Sequence, residues 1–549
     1  MQGILVETLK RAVEEVGYTY PTGAILEHPA ELSHGDYASN VALMLAKEAG
    51  KNPRELALEI AHHIEQRQPK EIAKVEVAGA GFINFTLSEY FLRSTIERII
   101  SEGGKWGSNT TLSGKKVLVE YTDPNPFKEF HIGHLMNNTI GEATSRLVEF
   151  AGAETKRANY QGDVGPHVAK AIWGKMKQKE LSWGEAYAYG AKAYEENETA
   201  KKEITEINKK IYEESDEEIN KLYREGRKDS FSLFEEMYAL LGTSFDFYFF
   251  ESEVWKEGLS LVRKNVGSVF AKSDGAIVYR GEADGLHTRV FVNSEGLPTY
   301  EAKDLGLALA KKEKYPSDIS ITVTASEQTE YFKVVLSAME KVMPQYAKKV
   351  KHISHGMMRL PSGKMSSRTG DVVTAEVLIE NVKEIALKKM EDAGIEKEEE
   401  IAEMVAIAAI KYSILKQTTG KDIIYDPERS LSFEGASGPY LQYAHTRAHS
   451  ILTKAGREGD TKSEKGSEDT LERLLYRFPE VVARAQNEYE PHYVVTYLTE
   501  LASSFNSFYA KEKIIGGEHE VYNLALARAF QITMQNGLWL LGIKTPQRM

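Results

Sequence analysis

The chain has 549 residues, which is too many for one hydrophobic core and predicts three or four domains. Its hydrophobic content of 42% and charged content of 27% are typical of an ordinary globular protein, and the absence of cysteine excludes disulfides, thiol catalysis and cysteine–zinc sites. The net charge of −12 disfavours a general polyanion binder, so a nucleic-acid partner would need a local basic surface.

The N-terminal segment lacks the apolar core of a signal peptide, because charged residues interrupt it from Glu7 onward. No window of the sequence approaches the roughly 18 apolar residues that a membrane span requires. We therefore expect a cytoplasmic protein without a membrane partner.

The first part of the chain, residues 1–112, is predicted to form a separate domain. Apolar residues at helical spacing over 4–16 predict one helix, residues 40–49 predict another, and the segment 75–87 is strand-like. Glycine and serine between 101 and 109 predict a linker at the end of this domain.

From residue 113 to about 375 the sequence alternates strands with helices. Apolar runs predict strands at 117–121, 155–160 and 319–324, and a helix follows His131. This alternation predicts a parallel sheet with helices packed on it.

Between about 170 and 285 the alternation is interrupted. Glutamate- and lysine-rich helices and the aromatic segment 245–250 together predict an insertion in the sheet domain. Beyond residue 376 the chain is predicted to be almost wholly helical, with a charged loop at 456–469.

The most informative segment is the turn that follows the strand 117–121. Asp-Pro-Asn-Pro at 123–126 breaks the strand, and a helix starts at His131-Ile-Gly-His134. A helix N-terminus attracts phosphate, His131 and His134 lie on one face and can donate to phosphate oxygens, and Gly133 leaves room for an adenine. Two surface histidines at a helix start is the plainer interpretation of these four residues alone. The strand and turn before them favour a nucleotide site.

A second segment, Gly363-Lys-Met-Ser-Ser-Arg-Thr-Gly370, has the composition of a mobile loop. Such a loop can close over a triphosphate and bring Lys364 to the leaving group. A lysine in a polar loop is usually an ordinary surface residue, but its pairing with the helix start favours a function. Neither a Walker A sequence nor a Gly-x-Gly-x-x-Gly after a strand is present, so the rival phosphate-binding motifs lack support.

These two segments resemble the HIGH and KMSKS signatures of class I aminoacyl-tRNA synthetases, and nearly the whole chain is similar to the arginyl-tRNA synthetases. Further similarity is found in Glu120–Asn125, Asn159–Asp163, Pro298–Asp304, Gly438–His445 and the ending from Asn536 to Met549. In the first domain, His34–Asn40 and Gly81–Phe85 resemble the extra domain of that family.

The resemblance implies a multidomain α/β plus α fold. Its expected parts are an N-terminal α+β additional domain (1–112), a class I Rossmann-like parallel-sheet catalytic domain (113–375) with a helical insertion, a helical connector (376–426) and an all-helical anticodon-binding domain (427–549). It also implies that a monomeric enzyme activates L-arginine with ATP and transfers it to the 3′-terminal adenosine of tRNA-Arg. Mg²⁺ is expected to arrive with ATP, and no metal held by the protein itself is predicted.

A binding site for arginine requires particular residue types. A guanidinium presents five planar N–H donors and stays charged, so it needs carboxylates and other acceptors. A predicted helix start places Tyr300 and Asp304 four residues apart on one face. The resemblance implies that these two bind the guanidinium with Glu120 nearby, and that Asn125 and Gln328 bind the α-ammonium and carboxylate. Without it, an exposed helix pair and a sheet-edge glutamate explain Tyr300, Asp304 and Glu120 equally well.

The resemblance assigns catalysis to His131, His134, Lys128 and Lys364. It assigns nucleotide binding to Gly133, to both histidines and to the second loop, where the matching residues are Lys364, Met365, Ser366 and Ser367. Ser367 replaces the second lysine of the KMSKS pattern. In such relatives a lysine just upstream of the HIGH motif takes its place, so Lys128 is assigned to the α-phosphate. Val164 and Tyr331 also depart from the family pattern, which often has Trp and His there.

RNA recognition is expected in the flanking domains, because single-stranded bases stack on aromatic side chains. The resemblance assigns Phe82 and Asn84 to the D-loop and places four candidates in the anticodon-reading domain: Tyr440, Gln442, Tyr443 and Met549. For any one of them, packing inside the protein is the plainer interpretation.

Two other functions stay open on the sequence alone. Another class I synthetase or HIGH-type nucleotidyltransferase would share the ATP motifs but should lack the Tyr300–Asp304 pair. A catalytically silent RNA-binding paralogue would have no need of His131, His134 and Lys364, all of which are present.

Overall fold

The computed structural model describes residues 1–359, 361, 373–392, 398–465 and 470–549. The chain divides into two compact units, one made of residues 1–106, 448–478 and 504–533 and the other of residues 107–447, 479–503 and 534–549. The C-terminal helices contribute to both units. Within the described ranges, no helix combines the length and the apolar content that a membrane crossing requires.

Residues 1–106 form a four-stranded antiparallel sheet with helices packed on it. The strands are β1 Leu26–Glu27, β2 Tyr37–Ser39, β3 Ile72–Ala78 and β4 Phe82–Leu87, and the helices are α1 Gln2–Glu15, α2 Val41–Ala49, α3 Pro53–Gln66 and α4 Glu89–Glu102. The strand order is β1-β2-β4-β3. Both predicted helices are therefore confirmed.

The predicted strand-like character of 75–87 is confirmed, and two strands of a hairpin occupy the segment. Gly79 and Gly81 take positive φ angles of 54° and 131° in the turn between β3 and β4. A Cβ atom at Gly81 would lie 2.8 Å from the carbonyl oxygen of Pro53, so the turn also needs the missing side chain. The predicted linker is ordered too, since Trp106 is only 2% exposed.

The second unit contains the remaining strands. They are β5 Lys116–Glu120, β6 Glu154–Gln161, β7 Phe247–Phe250, β8 Ala271–Ser273, β9 Ala276–Tyr279, β10 Arg289–Val292, β11 Ile319–Ala325, β12 Val350–His355, β13 Met358–Arg359 and β14 Ile423–Ile424. The main sheet has the order β12-β11-β5-β6-β7, and each of its pairings is parallel. The predicted parallel sheet is confirmed.

The aromatic segment 245–250 was predicted to belong to the insertion, and this is wrong. Its residues 247–250 are β7, which pairs in parallel with β6 at the edge of the main sheet. The run Phe-Tyr-Phe-Phe has no alternation of apolar and polar residues, so its sequence does not distinguish a strand from an apolar patch on a helix. Its pairing depends on a contact with a distant part of the chain.

The helices of the rest of the chain follow in order. They are α5 Ile132–Phe150, α6 Pro166–Lys177, α7 Trp183–Glu196, α8 Glu198–Glu213, α9 Glu217–Leu241, α10 Glu251–Lys264, α11 Tyr300–Lys314, α12 Thr329–Val342, α13 Pro344–Ala347, α14 Ala375–Asp392, α15 Glu399–Leu415, α16 Pro427–Ser430, α17 Gly438–Ala455, α18 Thr470–Leu475, α19 Phe478–Glu488, α20 His492–Lys511 and α21 Glu520–Leu540. The described chain after residue 375 is thus almost entirely helical, as predicted.

The strand order places a crevice at the end of β5. The chain runs from β5 to β6 and β7 on one side, and later returns to β11 and β12 on the other side. The order reverses between β5 and β11, where Glu120 lies beside Thr322. In open parallel sheets, ligands bind at the carboxyl ends of the strands next to such a reversal. The strand order therefore predicts a ligand site at the segments that follow β5 and β11.

A buried lysine joins three helices of the second unit and gives a prediction on stability. Lys411 in α15 donates hydrogen bonds of 2.7 Å to the carbonyl oxygens of Leu241 and Gly542, which end α9 and follow α21. Burial, with Arg146 nearby, lowers the pKa of Lys411 to about 7. Between pH 7 and about 10.5 the unfolded chain therefore binds more protons than the native state, and stability from this group rises with pH.

We expect the melting temperature of the wild type, relative to Lys411→Met, to increase as the pH is raised from 7 to 10. Differential scanning calorimetry of both proteins at several pH values measures this difference. Lys348→Met, a change at an exposed lysine, is the control and should not alter the trend. A difference that falls with pH would contradict the buried, weakly protonated state of Lys411.

Candidate active site

The turn between β5 and α5 has a constrained backbone. Three non-glycine residues adopt positive φ angles here, Thr122 at 79°, Asp123 at 46° and Phe127 at 69°, out of six such residues in the described chain. Each such conformation costs roughly 1–3 kcal/mol and persists only where surrounding contacts impose it. This concentration of strain marks the turn as a place with a function.

Side chains from other elements impose that conformation. The Asp123 carboxylate accepts a hydrogen bond of 2.7 Å from the amide of Tyr160 in β6. The amide of Phe127 donates to the Ser230 hydroxyl in α9 at 2.9 Å. The insertion helix α9 and the neighbouring strand thus fix the chain immediately before α5.

The two histidines of the predicted phosphate site form a stacked pair at the start of α5. Their ring centroids are 3.7 Å apart with an interplanar angle of 15°. The Nδ1 atom of His131 accepts from the amide of Gly133 at 3.0 Å, and that of His134 accepts from the amide of His131 at 3.2 Å. Since each Nδ1 is an acceptor, the proton of each neutral ring is on Nε2, which is then free to donate to a ligand. A Cβ at Gly133 would lie 2.8 Å from the His131 ring, so a larger residue there would displace the imidazole.

Both imidazoles are neutral near pH 7. Burial and the nearby Lys128 lower the pKa of His131 to about 4, and burial with His131 and Lys128 lowers the pKa of His134 well below its ordinary value. Lys128 itself lies with its Nζ 4.8 Å from the ring centroid of Tyr187 in α7. Burial and Lys170 lower its pKa. The histidines can therefore act as hydrogen-bond donors, whereas Lys128 supplies the positive charge.

A cavity of about 680 Å³ joins this turn to α11. One face of α11 lines it over three turns, through Tyr300, Asp304, Leu307, Ala308 and Lys311. Its other walls include the predicted residues Glu120, Asn125, His131, Gly133, His134 and Gln328, whereas the predicted Lys128 is not among the residues that line it. Tyr300 is 55% exposed and Asp304 lies one turn deeper. The structure thus brings the predicted nucleotide turn and the predicted arginine residues to one cavity.

Asp304 is the central acid of this cavity. The Tyr331 hydroxyl donates to its Oδ2 atom at 2.5 Å, which leaves the other oxygen for a ligand. Burial, with Glu120 and Glu251 nearby, raises the pKa of Asp304 to about 7, although the Tyr331 bond acts in the opposite direction. Tyr331, noted as a departure from the family pattern, therefore positions Asp304.

Two buried ion pairs near Asp304 were not predicted from the sequence. Lys311 lies 2.6 Å from Glu120, and Lys303 lies 2.6 Å from Glu251, with each of the four side chains at most 6% exposed. Lys311 follows Asp304 by seven residues and lies on the same helix face, so helical spacing could have predicted that it lines the same site. No sequence pattern indicated a role for Glu251, because it follows a strand that the sequence did not predict.

The other predicted residues lie in several environments. Val164 is 4% exposed and packs with Phe127 in an apolar cluster, so this departure from the family pattern is accommodated by packing. Lys364, Met365, Ser366 and Ser367 lie outside the described residues.

Two predicted tRNA contacts have little exposed surface, and one of them disagrees with the structure. Gln442 is fully buried, and its amide donates to the carbonyl oxygen of Lys544 at 2.8 Å. Asn84 is 7% exposed in the middle of its sheet. Gln442 cannot reach an RNA base from such a position, so that prediction is corrected, whereas the contact of Asn84 with RNA stays a prediction. The remaining candidates are partly exposed: Phe82, Tyr440, Tyr443 and Met549.

Comparison with known families agrees with this geometry. Residues 95–426, more than half of the chain, match the family described as tRNA synthetases class I (R), catalytic domain. The chain belongs to the arginyl-tRNA synthetase family. Residues 3–87 match the arginyl tRNA synthetase N terminal domain, and residues 441–549 match the DALR anticodon binding domain.

Relatives with this family name match over nearly their whole lengths. The chain is 31% identical to an arginine–tRNA ligase of Treponema denticola, over 98% of this chain and 97% of the relative. It is 31% identical to that of Thermococcus sibiricus, over 100% and 98%. The solved arginyl-tRNA synthetase of Thermus thermophilus is 26% identical, with a TM-score of 0.81 and complete coverage of both chains. The family and fold class predicted from the sequence are confirmed.

Proposed function

We propose that this chain is an arginine–tRNA ligase that activates L-arginine with ATP and then transfers it to tRNA-Arg. The observation that supports this most strongly is the single cavity lined by both the HIGH turn and the acidic face of α11. A nucleotide site alone would not need Asp304, and a cation site alone would not need two neutral histidines at a helix start.

In the first step, a carboxylate oxygen of arginine attacks the α-phosphorus of ATP. A new P–O bond forms arginyl-adenylate, the bond from the α-phosphorus to the bridging oxygen breaks, and pyrophosphate leaves with that oxygen's electrons. Mg²⁺ comes with ATP as part of the substrate. The Nε2–H groups of His131 and His134 donate to phosphate oxygens as charge develops, and Lys128 adds positive charge at the α-phosphate. Lys364 is assigned to the leaving pyrophosphate from its sequence motif.

In the second step, a ribose hydroxyl of the 3′-terminal adenosine of tRNA attacks the carbonyl carbon of the adenylate. The ester bond to tRNA forms, the mixed anhydride bond breaks, and AMP leaves. The hydroxyl proton can pass to the departing phosphate. The residues of the cavity therefore act by orienting and stabilising reactants, and a covalent enzyme intermediate is not needed.

Arginine is selected by its side chain. Asp304 presents a carboxylate oxygen to the guanidinium one turn below the exposed Tyr300, and Glu120 and Glu251, each paired with a lysine, form part of the surrounding wall. Asn125 and Gln328, which line the same cavity, are assigned to the α-ammonium and carboxylate. A lysine substrate lacks the planar set of donors that this arrangement can engage.

The outer domains are proposed to bind tRNA in a monomeric enzyme. We retain the limits 1–112 for the additional domain, 113–375 for the catalytic domain, 376–426 for the connector and 427–549 for the anticodon-binding domain. Asn84 and the partly exposed Phe82, Tyr440, Tyr443 and Met549 are kept as candidates for RNA contact. Stacking of an unpaired base on such a side chain contributes about 1–3 kcal/mol.

The test is ATP–pyrophosphate exchange with each of the twenty amino acids, with and without total tRNA. We expect exchange above background with arginine alone among them, at least when tRNA is present. Stronger exchange with another amino acid would contradict the specificity. No exchange with any amino acid, even with tRNA, would favour a catalytically silent RNA-binding protein.

A further inference from the structure

The cavity proposed to bind a cationic side chain contains a cation of its own. Lys311, in the fourth turn of α11, lines the cavity with a side chain that is 6% exposed. Its Nζ atom lies 2.6 Å from Oε2 of Glu120 and 3.4 Å from the Thr322 hydroxyl. A buried ammonium beside a guanidinium site should repel the substrate, so its presence needs an explanation.

The explanation begins with the number of acids. Five carboxylates line the cavity. Glu327 is exposed, whereas the other four are not: Glu120, Asp123, Glu251 and Asp304. Carboxylates that share a buried site suppress one another's ionisation, and a protonated carboxyl cannot bind a guanidinium as an ion. Ion pairs with Lys311 and Lys303 neutralise Glu120 and Glu251. Two negative charges then remain without a lysine partner, on Asp123 and Asp304.

These two acids have different roles. Asp123 accepts the amide of Tyr160 and belongs to the strained turn. Asp304 is bound on one oxygen by Tyr331 and has the other available. Every element around Asp304 contributes a charged or titratable group that faces it. The acids are Glu120 of β5, Asp123 of the turn and Glu251 of α10. The other groups are Tyr160 of β6, Arg289 of β10 over the Tyr331 ring, Tyr331 of α12 and Lys311 of α11 itself.

We propose that Lys311 is a positioning residue for arginine: by neutralising Glu120, its ammonium keeps Asp304 ionised and available to the guanidinium. The inference rests on the proposed function and adds a specificity-determining residue to it. Lys311 acts through Glu120 and Asp304, without a bond to the substrate. The acidic slot thus carries a fixed counter-charge that prevents its acids from neutralising one another by protonation.

The pKa shifts of Asp123 and Asp304 have the direction that this role of Lys311 requires. Glu120 raises the pKa of both Asp123 and Asp304, whereas Lys311 lowers both. Removal of the ammonium would leave Glu120 as an unneutralised neighbour. The pKa of Asp304, already raised to about 7 mainly by burial, would then rise further. The kcat/KM for arginine would therefore fall at neutral pH and recover as the pH increases.

The test compares Lys311→Met with wild type by arginine charging of total tRNA between pH 6 and 9. We expect kcat/KM for arginine to fall about fivefold at pH 7 and about tenfold at pH 6, and to recover towards wild type at pH 9, since a rise of one unit in a pKa of about 7 lowers the ionised fraction of Asp304 by about these factors. The KM for ATP should not change. Lys312→Met removes the adjacent, exposed lysine of the same helix and should leave the profile unaltered.

A second variant separates charge from structure. Glu120→Gln combined with Lys311→Met removes both members of the pair, so no unpaired charge is left buried. We expect its acid limb to return towards that of wild type, even if Lys311→Met alone proves insoluble. A loss that is equal at all pH values, an equal rise in the KM for ATP, or a double variant with an alkaline-shifted limb would overturn the role of Lys311. A wild type that charges another amino acid in preference to arginine would overturn the proposed function as well.

Discussion

Asp304→Asn should lower kcat/KM for arginine by about two to three orders of magnitude and leave the KM for ATP within about twofold of wild type. Loss of one member of a buried charged pair costs roughly 2–5 kcal/mol, and the guanidinium would lose its principal anion. Asn retains an oxygen that can accept the Tyr331 hydroxyl, which now bonds Oδ2 at 2.5 Å. Steady-state charging of tRNA at varied arginine and varied ATP measures both constants.

The folded state should tolerate this change. Asp304 lies among other carboxylates, and burial already raises its pKa to about 7, so its ionisation opposes folding above that pH. The melting temperature of Asp304→Asn should therefore equal or exceed that of wild type at pH 8. The loss in kcat/KM should be largest above pH 7, where the wild-type carboxyl is ionised, and smaller at pH 6.

A matched control is present on the same helix. Glu313→Gln makes the same chemical change at an exposed position of α11 and should leave both KM values unaltered. Equal increases in the KM for arginine and for ATP in Asp304→Asn would show that the carboxylate supports the cavity as a whole. That result would contradict its assignment to the guanidinium.

The elements around the site could be predicted where the signal is local. The apolar run of β5, the prolines that follow it and the cap residue His131 together mark a strand, a turn and a helix start. The face of α11 that carries Tyr300 and Asp304 follows from helical spacing. These signals lie within a few residues of one another, so a sequence is sufficient to find them.

The counter-charges in the site could not be predicted in the same way. Lys311 meets Glu120, and Lys303 meets Glu251, only because the sheet order places α10 and α11 beside the end of β5. Such pairs depend on the whole topology. The burial of Gln442 against the carbonyl oxygen of Lys544 is non-local for the same reason. Its tRNA contact was predicted from a motif, and a motif alone does not show which face of a helix is exposed.

His131 gives the second large effect, and two substitutions separate its two roles. Its Nδ1 caps α5 by accepting from the amide of Gly133, and its Nε2–H is directed to phosphate in our proposal. His131→Asn retains a good cap residue, but its shorter side chain has no donor at the position of the imidazole Nε2–H. We expect its melting temperature to stay close to wild type while kcat for pyrophosphate exchange falls about 10²- to 10³-fold, as for loss of one preorganised donor at a developing charge.

His131→Ala loses the cap as well, which costs about 1 kcal/mol of stability, so it should melt at a lower temperature with a similar loss of exchange. If His131→Asn kept wild-type exchange while His131→Ala did not, the imidazole would be a cap and nothing more. The pH profile adds an independent measurement. Because burial lowers the pKa of His131 to about 4, the ring donates as a neutral group, and kcat at saturating arginine should show no limb from this residue between pH 6 and 8. An acid limb near pH 6.5 that disappears in His131→Asn would show instead that the ring titrates during catalysis.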